Sequence, residues 1–254
     1  MRQESPLIRE SDKHFWHGYI AFYENHFASR DIASILEFGV LKGNSIRWLM
    51  ERFPAATVDG VDILSEQEEW PRDARVSYHR LDQGRRNDIR DFFQGRSFDL
   101  VIEDGSHVPE HQVACLIEGL PHVNSNGLYI VEDIQTSLPK PKTLKSRWLE
   151  LRKGVRPNGN ALSTLLSIEH FRRIGRSIDS ALAKNIAHNN MITQEEILEL
   201  DRNIKSLWLY RRNHLPDKCY NCGSSEFNYG AFKCLCGREI FSHADSMTFV
   251  IEKK

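Results

Sequence analysis

The sequence predicts an α/β protein built on a mostly parallel sheet with helices on both faces. Two observations carry that expectation. Between residues 33 and 135, short apolar runs alternate with amphipathic stretches, as in strands joined by right-handed helical crossovers. The conspicuous polar residues sit where those apolar runs end, which is where such sheets hold their ligands.

The elements follow in order. Ser34-Ile35-Leu36-Glu37-Phe38 reads as a buried first strand. After Gly43, residues Ile46, Leu49, Met50 and Phe53 recur at helical spacing. Residues 57 to 62 form a second strand, 75 to 79 a third and 98 to 102 a fourth. Val113, Leu116, Ile117 and Leu120 mark the helix behind it, and residues 127 to 131 form a fifth strand. Helices are expected over residues 161 to 173 and 177 to 187. Thr193-Gln194-Glu195-Glu196 is a capping box opening a helix that ends at Asn203. Residues 204 to 211 and 247 to 252 supply two more strands. The chain thus divides into an N-terminal helical segment (1–30), a ligand-binding core (31–137), a helical segment (138–203) and the last strands (204–254).

Composition narrows the function. The 254 residues are 40% apolar and 27% charged, with a net charge of -1. That balance argues against a general nucleic-acid or polybasic membrane binder. No apolar run approaches the ~18 residues of a spanning helix. The first fifteen residues lack the apolar core of a signal peptide, so a cytoplasmic location is expected. The balance hides one asymmetry: residues 140 to 178 hold ten Lys and Arg against two Asp and Glu. Such a segment suits an anionic acceptor, or equally a solvated helix face or a subunit contact.

The first strand runs into Glu37-Phe38-Gly39-Val40-Leu41-Lys42-Gly43-Asn44-Ser45, and the second ends in Asp62. Glycines at such a turn let a ligand approach the backbone, and an acid at the second strand end can accept hydrogen bonds from a ribose diol. The middle glycine of a pyrophosphate loop is missing. S-adenosylmethionine, with a ribose and no phosphate, fits better than NAD; the glycines could also serve packing alone. The fourth strand ends in Glu103-Asp104-Gly105-Ser106-His107 and the fifth in Glu132-Asp133. Asp104, Glu132 and Asp133 would repel one another unless a hard cation such as Mg²⁺ joined them; otherwise they would cap the following helices. His107 stands close enough to Asp104 to take a proton from a hydroxyl held there.

These motifs resemble the metal-dependent sugar O-methyltransferases of macrolide biosynthesis, of the mycinamicin and rhamnosyl type, grouped with the so-called cephalosporin hydroxylase family. The matching pieces are Ser11-Asp12-Lys13 with the segment to His26-Phe27, ILEFGVLKGNS, GVD at 60 to 62, LDQ at 81 to 83, FDLVIEDGSH at 98 to 107, GLYIVEDIQTS at 127 to 137, and the tail SMTFVIEKK. The resemblance implies a Rossmann-like class I methyltransferase sheet whose last strand is antiparallel. It implies Mg²⁺ on Asp104, Glu132 and Asp133, and His107 as general base. It places the cofactor against Glu37, Gly39, Gly43, Ser45 and Asp62, with Asp82 and Gln83 near the adenine. Glu103 replaces a more usual Asp. The family also suggests a homo-oligomer, and a substrate pocket formed partly by the basic segment.

Four of the five cysteines, Cys219, Cys222, Cys234 and Cys236, lie within eighteen residues. Two short thiol pairs beside Gly223 and Gly237 suit a tetrahedral, structural Zn²⁺ site. This zinc ribbon (216–243) would be an insertion between the last two strands, and it departs from the family. Cys115 falls on a helix face and reads as core. The ribbon also raises a rival reading, a protein that recognises RNA or a partner. Against RNA, residues 218 to 238 carry three Lys or Arg, too few to track phosphates. Tyr220, Phe227, Tyr229 and Phe232 are expected to form the ribbon's small core.

Overall fold

The computed structural model describes residues 8–138, 160–187, 191–242 and 245–254. Residues 140–159 of the basic segment lie outside the described residues. Two short helices, α1 (Asp12–Phe15) and α2 (Tyr19–Phe27), open the chain. Strands β1 (Ser34–Phe38), β2 (Thr57–Asp62), β3 (Val76–Arg80), β4 (Phe98–Glu103) and β5 (Val123–Val131) alternate with α3 (Asn44–Arg52), α4 (Arg86–Phe93) and α5 (Pro109–Gly119). Then come α6 (Ala161–Arg173), α7 (Ser180–Ile186), α8 (Gln194–Asn203) and β6 (Ile204–Arg211). The short hairpin β7 (Phe227–Asn228) and β8 (Lys233–Cys234) precedes β9 (Met247–Lys253).

The main sheet runs β3-β2-β1-β4-β5-β9-β6. Its first five strands are parallel; β9 is antiparallel to β5 and to β6. This is the expected mostly parallel arrangement with an antiparallel last strand. Period-2 alternation assigns each side chain a face. Leu36, Phe38, Val101 and Tyr129 pack with α4, α5 and α6–α8. Ile35, Leu100, Ile102 and Ile130 pack with α2 and α3. Cys115 is fully buried in the first of these clusters, as expected. The capping box of α8 forms as read, with Thr193 accepting from the Glu196 N–H and Glu196 accepting from the Thr193 N–H.

Several boundaries differ from expectation. The third strand sits one residue later. The helix expected from 177 begins at Ser180, behind its N-cap Asp179. The fifth strand begins four residues earlier, at Val123, because Val123 pairs with Phe98 and the polar residues after it are taken up in the register shift between Phe98 and Leu100. Among the described residues, no helix is long and apolar enough to cross a membrane.

The insertion leaves the sheet at an informative place. Val131, the last residue of β5, pairs with Phe249, and Arg211, the last of β6, pairs with Met247. The chain between β6 and β9 therefore emerges at the edge where β1, β4 and β5 also end. The cysteine-bearing segment stands at the edge of the sheet where the strand-end acids also lie.

Candidate active site

At the end of β1 the chain turns through Gly39 (φ +88°) and Gly43 (φ +71°), and Gly43 caps α3. A Cβ on Gly39 would lie 2.1 Å from the Asp104 carbonyl oxygen, so only glycine fits between these two strand ends. Asp62 braces the turn: one carboxylate oxygen accepts from the Val40 N–H at 2.9 Å, the other from the Leu64 N–H at 2.9 Å. Gln83 turns inward beneath Gly105. Its amide donates to Glu103 at 2.9 Å, and its carbonyl accepts from the Ser106 N–H at 2.9 Å. Burial raises the Glu103 carboxyl to about 7.

The acids meet a cation from the N-terminal segment. Lys13 is buried, and its ammonium bonds to Asp104 and, at 2.7 Å, to Glu132; Glu37 lies 3.4 Å away. Glu37 also accepts from the Ser45 hydroxyl at 2.6 Å, while its second oxygen is buried with no partner among the described residues. One ammonium faces two buried carboxyls, of Glu37 and Glu132, and the half-buried carboxyl of Asp104. Burial raises Asp104 from its ordinary value and Glu132 well above its own, and it lifts Glu37 to about 7 against the pull of Lys13.

Asp133 is held differently. Burial alone would raise it, but His17, His107 and the Tyr19 hydroxyl (2.7 Å) outweigh burial and keep it below its ordinary value. The His107 Nε2 is 3.8 Å from Asp104 Oδ1 and 3.9 Å from Asp133 Oδ2. Its backbone is left-handed (φ +53°), as is that of Asp133 (φ +49°). A strained backbone at both positions costs stability that a purely structural turn would not need to spend. The His107 Nδ1 is buried without a partner among the described residues.

One cavity of about 1280 Å³ takes in most of this. Gly39, Ser45, Asp62, Asp82, Gln83, Asp104, His107, Glu132 and Asp133 line it. Glu37 and Gly43 do not; they stand behind the wall, Glu37 bonded to Ser45 and Gly43 against Pro71. The far wall is Trp16 with Tyr220, Arg238 and Phe241 of the cysteine insertion. The described part of the basic segment lies elsewhere. No residue of 160–203 lines the cavity; α6–α8 pack on one sheet face, and Arg172 is spent on Asp201.

The Sγ atoms of Cys219, Cys222, Cys234 and Cys236 all lie within 4.8 Å of one another. This compact tetrathiol set suits one soft metal ion. Tyr220, Tyr229 and Phe232 are not the ribbon's core, as had been expected: they are 51%, 63% and 48% exposed. The small buried core is instead Trp16, Cys219, Cys234 and Ile240, with Phe227 beside it.

Residues 36–134, which contain all the strand-end acids, match the family described as "Methyltransferase domain". That stretch of the chain is similar to a methyltransferase domain. Over 141 residues, the stretch and its flanks are 39% identical to 8-demethyl-8-alpha-L-rhamnosyl tetracenomycin-C 2'-O-methyltransferase of Streptomyces olivaceus, covering 52% of this chain and 37% of that one. Mycinamicin VI 2''-O-methyltransferase of Micromonospora griseorubida is 33% identical over 138 residues, covering 48% and 33%. This chain thus spans little more than a third of the length of these relatives. Among solved structures, the MycE methyltransferase of the mycinamycin pathway, in complex with Mg and SAH, superposes with a TM-score of 0.61 at 20% identity. It covers 99% of this chain and 54% of that one, which establishes a shared fold. The family resemblance read from the motifs therefore stands.

Around residues 36–134, the sequence left four contributors without a role. Lys13 lay in a matching motif but had no assigned partner. His17 and Tyr19, which hold Asp133, gave only the signal of a His- and Tyr-rich stretch. Arg212 is buried beneath the insertion, bonded to Asp245 at 2.6 Å and to the Trp16 carbonyl.

Proposed function

We propose that the protein is an S-adenosylmethionine- and Mg²⁺-dependent O-methyltransferase. Its acceptor is a sugar hydroxyl on a glycosylated natural product, a glycan or a nucleotide-linked sugar. The observation that carries this reading is that Asp104, Glu132, Asp133 and His107 share one cavity with the glycine turn and Asp62. The curated relatives favour it over nucleic-acid recognition.

The residues fit both groups. Gly39 lines the cavity at the end of β1, where a nucleoside would lie, and Asp62 and Asp82 offer carboxylates along the same wall. S-adenosylmethionine supplies an activated methyl group. Asp104, Glu132 and Asp133 are oxygen donors with more negative charge than Lys13 can balance, the chemistry of a hard divalent cation. Mg²⁺ there would lower the pKa of the acceptor hydroxyl and fix its orientation. His107, 3.8 Å from Asp104, takes the hydroxyl proton at Nε2 as the methyl group is transferred. His17 and Tyr19 keep Asp133 ionised beside it. The four thiols hold a structural Zn²⁺.

Isothermal titration with S-adenosylhomocysteine, followed by transfer of labelled methyl groups to a panel of glycosides with Mg²⁺ or EDTA, tests the reading. Cofactor binding with EDTA-sensitive transfer is expected. A protein that does not bind S-adenosylhomocysteine sinks it.

A further inference from the structure

The relation between the cysteine insertion and the cavity calls for a role beyond holding a metal. Along the edge of the sheet, the glycine turn and Asp62 belong to β1 and β2. The acids belong to β4 and β5, and the insertion rises from β6 and β9. The acids therefore lie between the nucleoside side and the insertion. Transfer requires the acceptor oxygen in line with the S–CH₃ bond and beside the acids that would hold the cation, which leaves the insertion side for the rest of the acceptor. A cavity of about 1280 Å³ exceeds the ~1,000 Å³ upper range for one small ligand and leaves that side room for a second.

The wall there is built to hold a shape. Trp16 and Tyr220 rings lie 6.1 Å apart at their centroids, and the Arg238 guanidinium sits 5.4 Å from the first and 5.9 Å from the second. Ring contacts of this kind pre-orient a guanidinium and leave its edge donors free. No acid pairs with Arg238 among the described residues. Tyr220, beside Trp16 and Arg238, remains half exposed and lines the cavity. The neighbouring charges cancel: Arg212 pairs with Asp245 at 2.6 Å and Lys218 with Glu10 at 2.9 Å. Arg238 and Glu239, one of each sign, remain on the cavity side.

We propose that the cysteine insertion is the acceptor-side wall of the site, where Tyr220 and Arg238 select a neutral sugar ring. An aromatic face with fixed donors and acceptors and no net charge matches the alternating C–H and hydroxyl surface of a pyranose. An anionic acceptor would need surplus positive charge, which this wall lacks. The inference rests on the methyltransferase reading and assigns its acceptor specificity to residues outside the 36–134 stretch.

Calorimetry on the full chain with Mg²⁺ and saturating S-adenosylhomocysteine provides the test. The probes are p-nitrophenyl α-L-rhamnopyranoside (neutral) and p-nitrophenyl β-D-glucuronide (anionic). Wild type should bind the rhamnoside more tightly than the glucuronide. Tyr220→Ala and Arg238→Gln should each weaken the rhamnoside by about five- to tenfold, the size of one lost ring or guanidinium contact, with S-adenosylhomocysteine affinity held within about twofold. The proposal is overturned if wild type binds the cofactor product but neither glycoside, if it prefers the glucuronide, or if both variants bind the rhamnoside normally. Loss of S-adenosylhomocysteine affinity in both variants also overturns it, because the insertion would then act on the fold. Failure of wild type to bind S-adenosylhomocysteine instead refutes the underlying methyltransferase reading.

Discussion

The two walls of the cavity are held up by different physics. The wall with Gly39 and Asp62 grows from parallel strands whose side chains fill two large apolar clusters, one on each sheet face. The opposite wall rests on four buried residues, Trp16, Cys219, Cys234 and Ile240, of which two are thiols. A segment of that size buries too little apolar surface to order itself. Its shape must come from the thiol cluster and from tethers to the N-terminal segment: the Asp217 N–H to the Phe15 carbonyl at 2.8 Å, and Arg212 to the Trp16 carbonyl and, at 2.7 Å, the Ile240 carbonyl. One wall is set by packing and the other by ligation and hydrogen bonds, so the two should fail separately.

Chemistry on the packed side should fail most steeply. His107→Ala is expected to lower kcat by ~10²–10⁴-fold, the usual contribution of a positioned base. S-adenosylhomocysteine affinity should stay at wild-type level, since His107 contributes no apolar packing to either sheet-face cluster. Near-wild-type turnover in single-turnover assays would remove His107 from the proposed mechanism.

Next in size is the cation between the acids. Lys13→Met leaves Asp104, Glu132 and Glu37 buried without their ammonium. Removing one partner of a buried ion pair costs about 3–5 kcal/mol. A large drop in Tm is expected in EDTA, and millimolar Mg²⁺ should restore much of it by neutralising the same carboxylates. Equal Tm values for variant and wild type in EDTA would mean that the acids do not depend on Lys13.

Why Lys13 escaped the sequence reading is a matter of distance along the chain. Its partners lie 91 and 119 residues away, and no local periodicity reports such a contact. The strand-end acids were legible because an apolar run followed at once by carboxylates is a local pattern: Phe98–Glu103 ends in Glu103 with Asp104 next, and Val123–Val131 runs into Glu132 and Asp133. The thiol cluster was legible from spacing alone. Its place over the cavity was not, because that depends on the pairing of Arg211 with Met247 and Val131 with Phe249. Glu37, placed against the cofactor by the resemblance alone, lies inside β1 and behind the cavity wall, since strand burial pattern and turn direction together decide which acid faces out. Tyr220, Tyr229 and Phe232 misled because aromatic residues near thiol pairs read as core, whereas Trp16 from the far N-terminus fills that role.

The ligated wall should come apart more quietly. Cys222→Ser is expected to lose one equivalent of bound Zn²⁺ and to expose residues 216–243 to limited proteolysis, because the local free energy of folding there is largely metal binding. S-adenosylhomocysteine affinity should change by less than about twofold, since Gly39 and Asp62 belong to the packed wall. Retention of zinc by the variant, or abolition of S-adenosylhomocysteine binding along with the zinc, would show that the walls are not separable.

The smallest expected effect concerns how the packed wall tolerates Glu37. Burial lifts its carboxyl from an ordinary 4.5 to about 7, while Lys13 and the Ser45 hydroxyl pull the other way. A raised carboxyl binds its proton more tightly in the folded state than in the unfolded one. Its contribution to stability is therefore complete below about 4.5 and is lost as the pH rises through about 7. In EDTA, urea midpoints should fall between pH 5 and pH 8. Glu37→Gln keeps an acceptor for Ser45 and removes the titration, so the fall should become shallower. It should not vanish, because Glu103 is raised to about 7 by its own burial and titrates over the same window. An unchanged slope in Glu37→Gln would mean that Glu37 stays ionised throughout, with Lys13 satisfying it more fully than its 3.4 Å separation suggests.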